Sequence, residues 1–123
     1  LVAIGDGGVA GGAHAAEALI VAGITGIVAY NDLTAIGALR ALRRAGIGVP
    51  EAVSVVGFDD IDLAAWTDPP LTTIRQPIEA LGRWAVDHLV DLLGGARQGG
   101  SGAPVVLQPE LVVRGSTAPQ GTV

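Results

Sequence analysis

Few residues in this chain could make or break a covalent bond. Nucleophilic hydrolysis needs a Ser, Thr or Cys beside a base, yet the sequence has no cysteine and only two histidines, His14 and His88. Neither stands beside a Gly-flanked serine or in a paired metal spacing, so both are expected to be structural or solvent-facing and no catalytic residue is assigned. Asp59, Asp60 and Asp62 could hold a hard cation, but the rest of a calcium loop is missing. Capping and polar ligand contacts are the better expectation for them, and neither a metal nor a cofactor is expected.

Gly5-Asp6-Gly7-Gly8-Val9-Ala10 fits G-x-G-x-x-A, with Asp32 near where a ribose-binding acid would stand. Against a dinucleotide site, the leading apolar run Leu1–Ile4 is short and the acid lies far along the chain. No catalytic partner for a nicotinamide follows, and glycine is so dense between Gly5 and Gly12 that a chance match is easy. Position offers a stronger argument. In an open parallel sheet, ligands bind beyond the carboxyl ends of the strands, and two expected strands end in polar residues, Tyr30-Asn31-Asp32 and Phe58-Asp59-Asp60. An amide and a carboxylate presented there can bond the hydroxyls of a neutral sugar or nucleoside. Equally, Asn31, Asp32, Asp59 and Asp60 could simply cap the helices that follow; the residues alone leave both readings open.

Such strand ends exist only if strands and helices alternate, and the pattern alternates them. Leu1–Ile4 is strand-like and runs into glycine turn chemistry. Ala16, Leu19 and Ile20 predict a helix over Ala13–Ala22, stopped by Gly23. Gly26–Tyr30 reads as a buried strand, and Asn31 or Asp32 caps a helix Leu33–Ala45 closed by Gly46. Val53–Phe58 is a second buried strand, Asp59–Asp62 caps a helical turn through Trp66, and Leu71–Arg75 is a third strand. Gln76-Pro77 opens a last helix with Pro at its first position, striped by Ile78, Leu81, Ala85, Leu89 and Leu92 and ended by Gly94-Gly95. Gln98–Ala103 is expected as a mobile loop, Val105–Leu107 and Leu111–Arg114 as closing strands, and the tail after Ser116 as frayed. This order argues for βαβ units, an α/β fold whose parallel sheet carries helices on both faces. The helix Leu33–Ala45 is apolar on almost every side, through Leu33, Ile36, Leu39, Leu42 and the alanines between. One stripe suffices to pack on a sheet, so the surplus asks for a partner such as a second subunit, unless the alanines merely tolerate solvent.

Composition narrows the classes. The chain has 123 residues, enough for one domain, and half of them are apolar. Seven basic residues, all arginine, face twelve acidic ones for a net charge of −5, a poor surface for gripping a phosphate backbone. No apolar run is long enough to span a membrane, and the start Leu1-Val2-Ala3-Ile4-Gly5-Asp6 lacks the basic n-region of a secretory signal. The absence of cysteine suits a reducing cytoplasm. The first residue is not Met, and a piece of a longer protein is expected.

Four stretches carry a resemblance. Tyr30-Asn31-Asp32-Leu33-Thr34-Ala35-Ile36-Gly37-Ala38-Leu39-Arg40 resembles the N-D-x-x-A-x-G-A-L motif of LacI/GalR-type bacterial transcription regulators. Val49-Pro50-Glu51 followed by Val53-Ser54-Val55-Val56-Gly57-Phe58-Asp59-Asp60 resembles the same family at its spacing, as do Pro69-Pro70-Leu71-Thr72-Thr73-Ile74-Arg75-Gln76-Pro77 and Leu111-Val112-Val113-Arg114-Gly115-Ser116-Thr117. Together they cover roughly residues 12–117. The turn Ala22–Gly26 is short for the family and the opening glycines are unusual.

The resemblance implies that residues 1–123 are the C-terminal subdomain of a ligand-sensing domain, one lobe of a periplasmic-binding-protein-like (type I) effector domain. The DNA-binding headpiece and the N-terminal subdomain would lie outside this chain. Carried over by motif, Asn31 and Asp59 would contact the effector, Gln76 and Ile78 would flank the pocket, and Ile36 and Trp66 would lie at a dimer interface. The implied partners are a sugar- or nucleoside-like effector, a second copy of the chain, and operator DNA reached only through the headpiece, all in the cytoplasm with no membrane. A periplasmic sugar-binding protein serving a transporter is the alternative of the same fold; an enzyme comes after it.

Overall fold

A computed structural model describes residues 1–94 and 105–119. It divides into two units: Leu1–Arg75 with the segment from Glu110 onward, and Gln76–Pro109.

In the first unit α1 (Val9–Val21), β1 (Gly26–Val28), α2 (Asp32–Arg44), β2 (Ser54–Val56), a 3-10 turn (Asp62–Trp66), β3 (Thr73–Arg75) and β4 (Glu110–Val112) follow one another. β1 and β2 pair in parallel, Gly26 opposite Ser54 and Val28 opposite Val56, with α2 as the crossover between them. Isolated parallel bridges, Val56 with Thr72 and Asp59 with Arg75, carry the pairing on to β3. β4 closes antiparallel on β3, Thr73 opposite Val112. The architecture is mixed α/β with parallel strands, as expected.

The α2 boundaries follow from its ends. Asn31 is the N-cap, its side chain accepting from the Thr34 amide, and Gly46 sits past the last turn at φ 71°. The Ile47 amide reaches back to the Leu42 carbonyl (3.0 Å) and the Gly46 amide to Arg43 (3.1 Å), the paired bonds that close a helix on a left-handed residue. Ala35, Ala38, Leu39, Ala41 and Leu42 are buried with Ile27, Val55 and Leu71 in one core. The alanine face of α2 is therefore used, whereas Ile36 remains half-buried and Leu33 is exposed.

Several expectations are corrected. α1 begins at Val9, not Ala13, and takes Gly11 and Gly12 into its first turns. Gly11 packs on Asp6, where a methyl would lie 2.6 Å from the Asp6 nitrogen; a methyl on Gly12 would lie 2.7 Å from the Thr34 Cα, and one on Gly37 in α2 would lie 2.6 Å from the Ala13 nitrogen. α1 and α2 thus cross with their backbones in contact. Leu1–Ile4 forms no strand, and Leu1, Val2 and Ile4 are exposed; a strand is stable only when its backbone groups are paired. Val105–Leu107 is also not a strand, because pairing with β3 begins only at Glu110, after Pro109. The tail after Ser116 is docked as far as Ala118, where Thr117 Oγ1 lies 2.9 Å from Thr72 Oγ1 and the Ala118 amide donates to Ser54 Oγ. The loop expected at Gln98–Ala103 lies outside the described residues.

The second unit holds α3 (Ile78–Leu93), preceded by Pro77 at its N-cap and followed by Gly94 at its C-cap. Trp84 and His88 stack along it, ring centroids 5.1 Å apart and 8° from parallel.

Candidate functional site

The parallel register of β1 and β2 sets their carboxyl ends side by side, and the pairing runs past both strands. The Ala29 amide donates to Val56 O and the Asp32 amide to Phe58 O, each at 2.8 Å. Asn31 and Asp59 therefore arrive at one edge of the sheet. On the far side of Asp59, its amide donates to Ile74 O at 2.9 Å.

Asn31 does two structural jobs there. Its Oδ1 accepts from the Thr34 amide (2.8 Å) and its Nδ2 donates to Gly7 O (2.9 Å). A side-chain amide has two lone pairs and two N–H groups, so each atom keeps capacity for one further bond. The capping role is observed, and it leaves room for a ligand hydroxyl. Asp32 is different. It is fully buried, accepting from the Thr73 hydroxyl (2.5 Å) and from the Ile61 amide (2.9 Å). Its charge sits in the first turn of α2, where the helix dipole favours it.

The turn after β2 is strained. Asp59 has φ 119° and Asp60 φ 57°, and non-glycine residues held in such regions cost on the order of 1–3 kcal/mol each. Asp60 is no helix cap. Its Oδ1 accepts from Arg114 Nη2 and its Oδ2 from Arg75 Nε, both at 2.6 Å, with the Asp60 side chain 7% exposed. Arg114 Nη1 also donates to Leu71 O (2.8 Å) and Arg75 Nη1 to Glu110 (3.3 Å). Burial alone would raise the Asp60 carboxyl, but hydrogen bonds and charge from Arg114 and Arg75 outweigh it and hold the group below its ordinary value. The same contact with Asp60 raises Arg75.

The remaining expected residues divide between the units. Ile36 and Trp66 belong to the first; Trp66 is 84% exposed at the end of the 3-10 turn. Ile36, Arg43, Thr67 and Asp68 line one shallow cavity of about 170 Å³, which brings the half-buried side of α2 to the end of that turn. Gln76 and Ile78 belong to the second unit, Gln76 half-buried and Ile78 exposed. A larger cavity of about 380 Å³, mostly apolar, lies beside Gly7, Tyr30, Thr34 and Leu19; it borders two partners of Asn31 but neither Asn31 nor Asp59. The glycine pattern after Ile4 is occupied from within, since Asp6 Oδ1 accepts from the Gly8 amide (2.9 Å). A carboxylate thus takes the start of α1, where a pyrophosphate would otherwise bind. His14 stands in solvent, 3.7 Å from Glu17. Among the described residues no group of His, Cys, Asp and Glu is arranged to hold a metal ion.

Sequence reasoning missed Arg75, Arg114 and the buried role of Asp32. The only signal was scarcity: in a chain with seven basic residues, two stand at the ends of short apolar segments, where a cation needs a carboxylate.

A family model described as a periplasmic binding protein-like domain matches residues 2–117. The HTH-type transcriptional regulator MalR of Streptomyces coelicolor is 53% identical over 108 residues, which is 88% of this chain and 31% of that protein. The chain thus spans about a third of the length of the curated relatives it matches. Among solved structures, a LacI family transcriptional regulator from an Arthrobacter species, in complex with lactose, superposes with a TM-score of 0.81 at 38% identity, covering 90% of this chain and 42% of the other. One from Enterococcus faecium with bound ribose gives 0.81 at 34% identity, covering 93% and 42%. With a family model covering nearly its whole length, the chain belongs to the periplasmic binding protein-like domain family, in the form found in LacI-family transcriptional regulators.

Proposed function

We propose that this chain is the C-terminal subdomain of the effector-sensing domain of a LacI-family transcription regulator, and that Asn31 and Asp59 bond the hydroxyls of a sugar- or nucleoside-like effector. The observation that carries the reading is that an amide and a carboxylate follow the carboxyl ends of two strands whose backbones pair in parallel. They sit in a fold whose similar solved chains hold lactose and ribose. Ile36 and Trp66 would meet a second copy of the chain, which accounts for an exposed tryptophan beside a half-buried helix face. Operator DNA would be reached through a headpiece outside this chain, in keeping with the net charge of −5.

The work done is differential binding, with no covalent step. An effector that favours one arrangement of the subdomains shifts the DNA-binding equilibrium by as much as its preference for that arrangement, typically about 1–3 kcal/mol. A regulator of this kind acts in the cytoplasm; among the described residues no helix is long and apolar enough to cross a membrane. The matched curated relatives are transcriptional regulators, which favours this reading over a transport receptor of the same fold.

The test is fluorescence anisotropy of the full-length polypeptide on DNA from upstream of its own gene, with lactose or ribose added. The expected result is sequence-specific binding whose affinity one of the sugars changes by about 5- to 150-fold. A full-length polypeptide that ignores this DNA overturns the regulator reading; DNA binding that neither sugar alters overturns the assignment of such an effector.

A further inference from the structure

We infer that Arg114 and Asp60, with Arg75, are positioning residues for the Asp59 effector contact: the clasp they form holds the left-handed turn that presents Asp59 at the strand end. The inference rests on the proposed role of Asp59 and goes beyond it to the residues that set its geometry.

Two consecutive aspartates occupy the turn at φ 119° and 57°. A turn that only reversed the chain would favour glycine at positive φ, so aspartate at both positions implies a use for both side chains. The use of Asp60 is visible. Its two carboxylate oxygens are taken by two arginines from different segments, Arg75 at the end of β3 and Arg114 after β4, both at 2.6 Å. Arg114 is itself fixed, because the same guanidinium donates from its other terminal nitrogen to Leu71 O at 2.8 Å, a forked arrangement that a lysine cannot reproduce. The rest of the turn is pinned as well. Phe58 O takes the Asp32 amide, the Asp59 amide goes to Ile74 O, and the Ile61 amide goes to the buried Asp32 carboxylate. Strained backbone persists where its surroundings over-determine it, and such places cluster at ligand clamps. Here the over-determined element is the one carrying Asp59.

The experiment uses the full-length polypeptide. Lactose and ribose are titrated calorimetrically into the wild type, Asp59→Asn, Arg114→Gln and the double variant, with Arg114→Lys to keep the charge and thermal melting to verify folding. The backbone 13C shifts of residues 59 and 60 are recorded without sugar. The expected result is that Arg114→Gln weakens binding about tenfold and shifts residues 59 and 60 away from left-handed values while the fold is kept. Arg114→Lys should restore part of the affinity, and Arg114→Gln should add little to the loss already caused by Asp59→Asn, as two residues acting through one contact do. Equal losses in both backgrounds, unchanged affinity in Arg114→Gln, or left-handed shifts retained in Arg114→Gln each overturn the inference. Wild-type affinity in Asp59→Asn, or a wild type that binds neither sugar, instead overturns the effector site itself; the shifts, read without ligand, distinguish that failure from failure of the clasp.

Discussion

Replacing Gly37 by alanine should destabilise the protein, although alanine is the better helix former. In an exposed helix interior Gly→Ala gains about 1 kcal/mol. At Gly37 the new methyl would collide with the Val9 carbonyl oxygen and lie 2.6 Å from the Ala13 nitrogen and 3.0 Å from the Gly12 carbonyl carbon. Ordinary contacts of this kind begin at 3.4 Å, and every obstacle is helix backbone, which cannot rotate away. α1 must move bodily, and overpacking of this sort costs typically about 1–3 kcal/mol. Taking the upper end, about 3 kcal/mol, against the propensity gain of about 1 kcal/mol leaves about 2 kcal/mol, and with a urea slope of about 2 kcal/mol per molar the unfolding midpoint should fall by about 1 M. Gly82→Ala on α3 is the control, since a methyl there meets nothing within 4 Å among the described residues, and it should raise the midpoint. The assay is urea unfolding followed by circular dichroism at the helical band. If Gly37→Ala raises the midpoint as Gly82→Ala does, the backbone-to-backbone crossing of α1 and α2 is wrong, and with it the route by which Gly7 reaches Asn31.

Asp32→Ala strands two donors, the Thr73 hydroxyl and the Ile61 amide; at about 1–3 kcal/mol for each buried unsatisfied group, thermal unfolding should show a loss of about 2–6 kcal/mol. Asp60 is held below its ordinary carboxyl value of 3.8, so its contribution is full above that pH and is lost as pH falls from there toward its folded value. Unfolding measured along that acid limb should therefore show the gap between wild type and Asp60→Asn narrowing as pH falls. On the proposed contact with a second copy, Ile36→Glu and Trp66→Glu should shift sedimentation from dimer to monomer while each subunit stays folded, because neither side chain is part of the buried core.

Much of the fold was legible because its signals are local. Asn31 before an apolar run and Gly46 after it bound α2 to within a residue at each end, and the βαβ pattern gave the parallel pair. What escaped depends on tertiary contact. The helix start expected at Ala13 lies earlier, at Val9, because Gly12 is pressed against the Thr34 backbone of α2 and Gly11 against Asp6, contacts that no local spacing announces. Leu1–Ile4 and Val105–Leu107 have strand-like composition, but composition carries no pairing partner. At the site, Asn31 and Asp59 were legible as strand ends, and both the capping and the ligand reading of Asn31 survive, since its bonds leave capacity for both. The Asp60 clasp was not legible, because its members are separated by up to 54 positions in the chain and no spacing rule links them.

The most direct test of the account is a crystal structure of the full-length polypeptide with a sugar bound. The account predicts ligand hydroxyls within about 3 Å of Asn31 and Asp59 side-chain atoms, with the capping bond from the Thr34 amide to Asn31 still in place. A sugar bound elsewhere, with Asn31 serving only as a cap and Asp59 out of reach, would contradict it.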